Sequence, residues 1–218
     1  MTLRGIPLKI QYRTDQDNMV TDFFIPCLSN SIEYDRAVEY VTLKSISTLS
    51  LGLQNLLEHE GKIRLLTGHR YKSADLNILT KLYNKKKITN GNSIHGNKIE
   101  ILQNMIQKNK IQIKIAIPNS EMVDGSFSER IGIFKDEEGN AVAYTGTSNE
   151  TFNVENMNFE SVDVFTSWND RERVEKKMSD FEKLWNNETD YVEVYDFTYA
   201  NEHNLLKYDS AWAIESTN

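Results

Sequence analysis

The chain has 218 residues, of which 39% are hydrophobic, with a formal net charge of -7, three prolines, ten glycines and one cysteine. That length supports one sizeable core, and the acidic total excludes a surface that is basic all over and built for nucleic-acid phosphates. The lone Cys27 excludes an internal disulfide, no Cys/His cluster has metal-ligand spacing, and no apolar run reaches bilayer-spanning length; a cytoplasmic protein without membrane, metal or cofactor is therefore expected.

Met19 to Pro26 is apolar-rich and reads as a short extended or helical lead-in. Arg36 to Leu43 is β-branched and partly alternating, which predicts a strand entering the core. Ser45 then opens a helical face through Ile46, Leu49, Leu53, Leu56 and Leu57, ending near Gly61, and Lys62 to Gly68 is a second buried strand. Ser73 suits the N-cap of a helix through Leu76, Leu79, Leu82 and Tyr83. Lys85 to Gly96 reads as a polar loop with Asn90-Gly91 as its turn, Asn97 to Asn109 as an amphipathic helix, and Ile111 to Ile117 as the cleanest alternating strand. Arg130 to Phe134 and Ala141 to Thr145 pair across Asp136-Glu137-Glu138-Gly139-Asn140, a glycine-containing hairpin turn. Ser161 to Phe165 is a further strand, Asp170 caps a helix that reaches Trp185, and a short strand with one helix follows from Tyr191.

Strands alternating with helices, with a late hairpin, predict an α/β domain: a mixed sheet with helices on both faces. Residues 1–197 form the domain in this reading, and 198–218 are a C-terminal helix and tail that would lead on to a further region. Functional groups of such sheets collect at strand ends and in the loops beyond them. Charge is polarised: from Lys85 to Lys114 there are seven lysines against one acid, Glu100. Lys85, Lys86 and Lys87 are the candidate contacts to a nucleic-acid backbone, set against the plain alternative of a solvated surface.

The stretch from Phe127 to Glu160 holds Ser128-Glu129-Arg130 before a strand, Gly146-Thr147-Ser148-Asn149-Glu150 after a hairpin, and Asn158-Phe159-Glu160 downstream. This pattern resembles the phospholipase D-like superfamily, whose signature is His-x-Lys, an acid, Gly-Ser-x-Asn and often Asn-x-Glu. Ser128 stands in the histidine position, Arg130 in that of the lysine and Thr147 in that of the serine. More narrowly, Gly61 to Gly68, the Asp136–Asn140 hairpin, and Leu184-Trp185 before Val194 to Phe197 are similar to nuclease domains joined to superfamily 2 helicases in bacterial restriction and phage-defence systems. No Gly-x-x-x-x-Gly-Lys-Ser/Thr loop occurs, so an ATPase would lie in another region or a partner chain.

The resemblance implies a metal-independent DNA phosphodiesterase acting as a homodimer, because a single motif needs its symmetry mate to supply the second catalytic histidine. Arg130, Gly146, Thr147 and Asn149 would bind phosphate, and Glu160 would orient the histidine that Ser128 replaces. A serine cannot supply the imidazolium acid. Ser128 therefore leaves three explanations open: lost activity with phosphate binding kept, altered chemistry, or a substitution introduced to trap the protein. The alternative from another class is a non-catalytic nucleic-acid-binding and dimerisation module serving a linked helicase; a lipid phosphodiesterase is a distant third. Of the four histidines, His69 follows the strand-end Gly68 and is the one placed to substitute as a base, although the ordinary reading is a surface histidine bound to a loop. Arg70 and Tyr71 beside it could contact or stack on a strand, set against the plainer reading of an exposed loop pair.

Overall fold

The computed structural model describes residues 2–42, 48–84, 94–119, 125–146 and 159–208. Strand β1 (Gln11–Arg13) precedes a π-helical turn, Val20–Phe24, that runs into helix α1 (Ile25–Ser29). Then come β2 (Glu33–Val38), α2 (Ser50–Glu58), β3 (Lys62–Gly68), β4 (Arg70–Tyr71), α3 (Ser73–Tyr83), α4 (Ile94–Gln107), β5 (Ile111–Pro118), β6 (Ile131–Lys135) and β7 (Ala141–Gly146). The described chain finishes with β8 (Ser161–Thr166), α5 (Arg171–Trp185), β9 (Val192–Asp196), α6 (Phe197–Glu202) and β10 (Lys207–Tyr208). Eight strands form one mixed sheet in the order β1-β8-β7-β6-β2-β3-β5-β9. β2, β3 and β5 run parallel, as consecutive strands joined by helices do, and the other pairs are antiparallel.

The two faces of the sheet bury different residues. On one, Tyr34, Val38, Ile63, Leu65, Ile113, Phe134, Val142 and Tyr144 pack with Leu28 of α1, Leu53 and Leu56 of α2, Leu76 and Leu79 of α3, Leu102 and Met105 of α4, and Phe197 of α6. On the other, Ala37, Leu66, Ala116, Ile131, Ile133 and Ala143 meet α5 through Val174, Phe181, Leu184 and Trp185. The period-two alternation along each strand divides these sets, as the pleat requires. Gly132 leaves room for Tyr144: a Cβ there would lie 1.9 Å from the ring. The Tyr144 hydroxyl in turn shares a 2.6 Å hydrogen bond with that of Tyr34.

Several expected boundaries move. The first long strand begins at Glu33 rather than Arg36 and ends at Val38. Its acidic residues disguised it: Asp35 is fully buried in a charge cluster, where the Arg64 guanidinium spans both carboxylate oxygens at 2.6 and 2.7 Å and Lys135 donates at 2.9 Å. Arg64 also reaches Glu182 on α5 at 2.6 Å and lies over the Phe181 ring at 5.0 Å, tying that helix to the sheet. Leu43, Ser45, Ile46 and the Asn90-Gly91 turn fall outside the described residues, and α4 starts at Ile94, inside the expected loop. Ser73 is the first helical residue of α3 rather than its N-cap, which is Lys72. Asp170 does occupy the N-cap of α5, but its carboxylate makes no capping bond and instead accepts from the Thr166 N–H at 3.4 Å.

The Asp136–Asn140 hairpin joins β6 to β7 with Gly139 at φ +81, the left-handed conformation that favours glycine. Asp136 anchors this turn, its carboxylate accepting from the N–H groups of Leu3 (2.8 Å), Glu138 (3.0 Å) and Asn140 (2.8 Å). Residues read as a tail also join the fold. Phe197 and Ala200 enter the larger core, and β10 pairs in parallel with β4. Among the described residues, no helix is long and apolar enough to cross a membrane.

Candidate functional site

Parallel β2 and β3 end side by side, and antiparallel β6 begins next to them, since Ala37 pairs with both Leu66 and Ile131. β7 ends and β8 begins at the same edge, where Gly146 pairs with Val162. Strand direction thus collects Glu39, Gly68-His69, the loop 125–130, Gly146 and Glu160 along one rim of the sheet. Ser128, Arg130, Gly146 and Glu160 all lie at that rim.

Each segment is held by a specific contact. The Gly68 N–H donates to the Glu39 carbonyl at 3.0 Å, and a Cβ on Gly68 would lie 2.6 Å from that oxygen, so glycine lets the exits of β2 and β3 close on each other. His69 is clamped by its backbone, its carbonyl accepting from the Lys207 N–H at 2.8 Å. Just beyond it, Tyr71 is neither an exposed loop residue nor available to stack on a strand of DNA: it is buried in β4, its hydroxyl meeting that of Thr67 inside the core. In the loop before β6, Phe127 is buried while Ser126 and Ser128 on either side of it are exposed. This alternation turns both hydroxyls outward, 3.2 Å apart.

Arg130 follows, its guanidinium paired with Glu39 at 3.0 Å and its carbonyl accepting from the Thr145 hydroxyl at 2.9 Å. Gly146 has a packing reason of its own: a Cβ would come within 2.1 Å of the Ser161 carbonyl oxygen on β8. Glu160 is buried, and its backbone is stapled to the end of β1, where the Thr14 hydroxyl donates to the Glu160 carbonyl at 3.1 Å and accepts from its N–H at 2.9 Å. Thr147 and Asn149, and Lys85, Lys86 and Lys87, lie outside the described residues. Within the expected basic segment, Lys110 pairs with Glu60, and Lys114 donates to the Trp185 carbonyl at 3.0 Å while lying over its ring at 4.7 Å. Those two lysines have structural work inside the domain.

A cleft of about 90 Å³ opens at the rim, lined by Glu39, Tyr40, Gly68, His69, Arg70, Ser126 and Phe127. It has room for a few waters or one phosphate-sized anion. The expectation of a surface His69 bound to a loop is overturned: the residue is 5% exposed, and its Nδ1 is buried with no hydrogen-bond partner among the described residues. Burial, joined by the positive charges of Lys207 and Arg70, holds its imidazole below the usual histidine range. An orphaned buried polar atom costs about 1–3 kcal/mol. Glu39 is a rim residue that the sequence does not single out: the expected strand Arg36 to Leu43 runs through it, whereas β2 ends at Val38 and leaves Glu39 at the rim. No group of His, Cys, Asp and Glu among the described residues has the arrangement of a metal site.

No family model and no curated protein sequence matches the chain. Solved structures similar to it include NucT from Helicobacter pylori, 13% identical, with 85% of this chain and 97% of that one covered and a TM-score of 0.49. Phosphatidylserine synthase from Haemophilus influenzae is 11% identical, covering 85% of this chain and 39% of that one at a TM-score of 0.49. Yeast tyrosyl-DNA phosphodiesterase is 8% identical, covering 84% and 41% at 0.46.

Proposed function

We propose that this chain is a phospholipase D-like phosphodiester hydrolase domain that acts on DNA without a metal ion. One observation carries the reading: the motif residues Ser128, Arg130, Gly146 and Glu160, scattered over the sequence, lie on one rim of the sheet, and Glu39, the ion-pair partner of Arg130, lines a cleft of about 90 Å³ at that rim. Arg130 holds the phosphate, its fork matching two non-bridging oxygens, and Thr147 and Asn149 complete the anion contacts. Lys85, Lys86 and Lys87 track the backbone of the strand. A homodimer that sets two rims face to face around one phosphodiester, and a helicase in the same polypeptide or in a partner, belong to the same proposal, as does a role in bacterial defence or restriction.

Ser128 favours a second reading. Its one hydrogen bond among the described residues is to Ser126, another hydroxyl that cannot act as a base. On that basis the chain would be a phosphate-binding and dimerisation module that positions a helicase on DNA.

Incubating the purified chain with plasmid, duplex and single-stranded DNA in EDTA separates the two. The hydrolase reading expects cleavage that Arg130→Ala abolishes. DNA binding that depends on Arg130, with no cleavage of any substrate, selects the binding module; neither binding nor cleavage defeats both.

A further inference from the structure

We propose that His69 is the catalytic base of this rim, taking the place of the imidazole that Ser128 does not provide; the inference rests on the hydrolase reading. Three observations converge. His69 lines the anion-sized cleft together with Glu39 and Ser126. The residue is almost wholly withdrawn from solvent, yet Nδ1 meets no partner among the described residues, so that nitrogen is not being used in a structural hydrogen bond. Its backbone is fixed by the Gly68 N–H bond to Glu39 and by the Lys207 N–H, which holds the residue at the cleft wall.

The groups around it suit a neutral base. Arg70 next to it and Lys207 from β10 oppose protonation, and the Glu39 carboxylate that shares the cleft is paired with Arg130. The imidazole is therefore uncharged at neutral pH and free to accept a proton. Arg130 is joined to the cleft through Glu39, which lines it, and the cleft volume is enough for an attacking water.

In the step proposed, the water oxygen forms a new bond to phosphorus as its proton passes to the His69 ring. The bond from phosphorus to the leaving oxygen breaks, its electron pair departs with that oxygen, and the leaving oxygen takes a proton from solvent. The imidazolium then releases its proton to solvent and the ring is restored. One phosphodiester and one water give a phosphomonoester and an alcohol, with no covalent enzyme intermediate.

The test uses the full chain in EDTA with bis(p-nitrophenyl) phosphate. His69→Gln and His69→Ala should lower kcat by about 10²- to 10⁴-fold with little change in KM. Wild-type kcat should rise with pH through a single ionisation below about 6.5, the ordinary histidine value, and then level off. Added imidazole should restore part of the activity of His69→Ala, which a purely structural residue would not allow. In case the variants are poorly folded, a side-chain NMR titration of the wild type supplies an independent reading. Saturating inorganic phosphate should raise the His69 pKa, because an adjacent anion favours imidazolium.

An active wild type whose His69→Gln variant keeps kcat within about threefold, far short of a proton-transfer role, overturns the assignment and leaves the hydrolase reading standing. So does a His69 titration indifferent to phosphate. A wild type that cleaves nothing defeats the hydrolase reading itself, and the role of His69 with it.

Discussion

The pairing of Arg130 with Glu39 makes a prediction with two opposite signs. The ions meet at 3.0 Å with side chains 27% and 33% exposed, so the pair is worth at most about 1 kcal/mol. A phosphate oxygen bound to the same guanidinium gains charge-assisted bonds of about 1.5–3 kcal/mol. Arg130→Ala should therefore weaken DNA binding by about 10- to 150-fold and reduce the slope of log K against log salt by about 0.9, one phosphate contact. Glu39→Gln removes this ion pair and should tighten binding by up to about fivefold. The double variant should bind like Arg130→Ala alone, since Glu39 acts through Arg130. Fluorescence anisotropy with a labelled duplex across a salt series measures all four proteins. Unchanged binding in Arg130→Ala, or weaker binding in Glu39→Gln, would refute a phosphate site at Arg130. A double variant tighter than Arg130→Ala would show that Glu39 repels DNA directly.

Three further predictions concern the scaffold that holds the rim. Replacing Gly132 by Ala drives a methyl into the Tyr144 ring and should cost about 1–3 kcal/mol, seen as a fall of roughly 2–4 °C in Tm per kcal/mol. Replacing Arg64 by Met leaves the buried Asp35 carboxylate with Lys135 as its main counter-ion and should destabilise by about 3 kcal/mol in urea unfolding; a loss under 1 kcal/mol would mean the cluster is not structural. Burial alone would raise the Asp136 pKa, but the hydrogen bonds from Asn140, Leu3 and Thr2 prevail and hold it below the usual carboxylate range. Because the folded value is depressed, the stability it contributes is complete above the unfolded value of about 3.9 and is lost as pH falls through the folded one. Asp136→Ala should accordingly lose about 1.5–3 kcal/mol at pH 7 and flatten the acid limb of the stability curve.

Much of the framework is written in local pattern. The alternation of Ile111 to Ile117, the glycine-containing hairpin at Asp136 to Asn140 and the apolar stripe from Val174 to Trp185 each appear as β5, the β6–β7 turn and α5. Alternation and helical period need only neighbours along the chain, so they survive without tertiary information. β2 begins before the expected Arg36 because burial of Asp35 depends on Arg64 of β3 and Lys135 of β6, far away in sequence. The resemblance grouped Ser128, Arg130, Gly146 and Glu160 as one candidate site, and the strand order puts all four on one rim of the sheet. What the sequence could not disclose is that Glu39 pairs with Arg130 and shares a cleft with His69 and Ser126. Their neighbourhood arises from parallel β2 and β3 ending where antiparallel β6 begins, and from Gly68 allowing two backbones to close. Local pattern reports which residues turn inward; only the order and direction of strands decides which loops share a cleft.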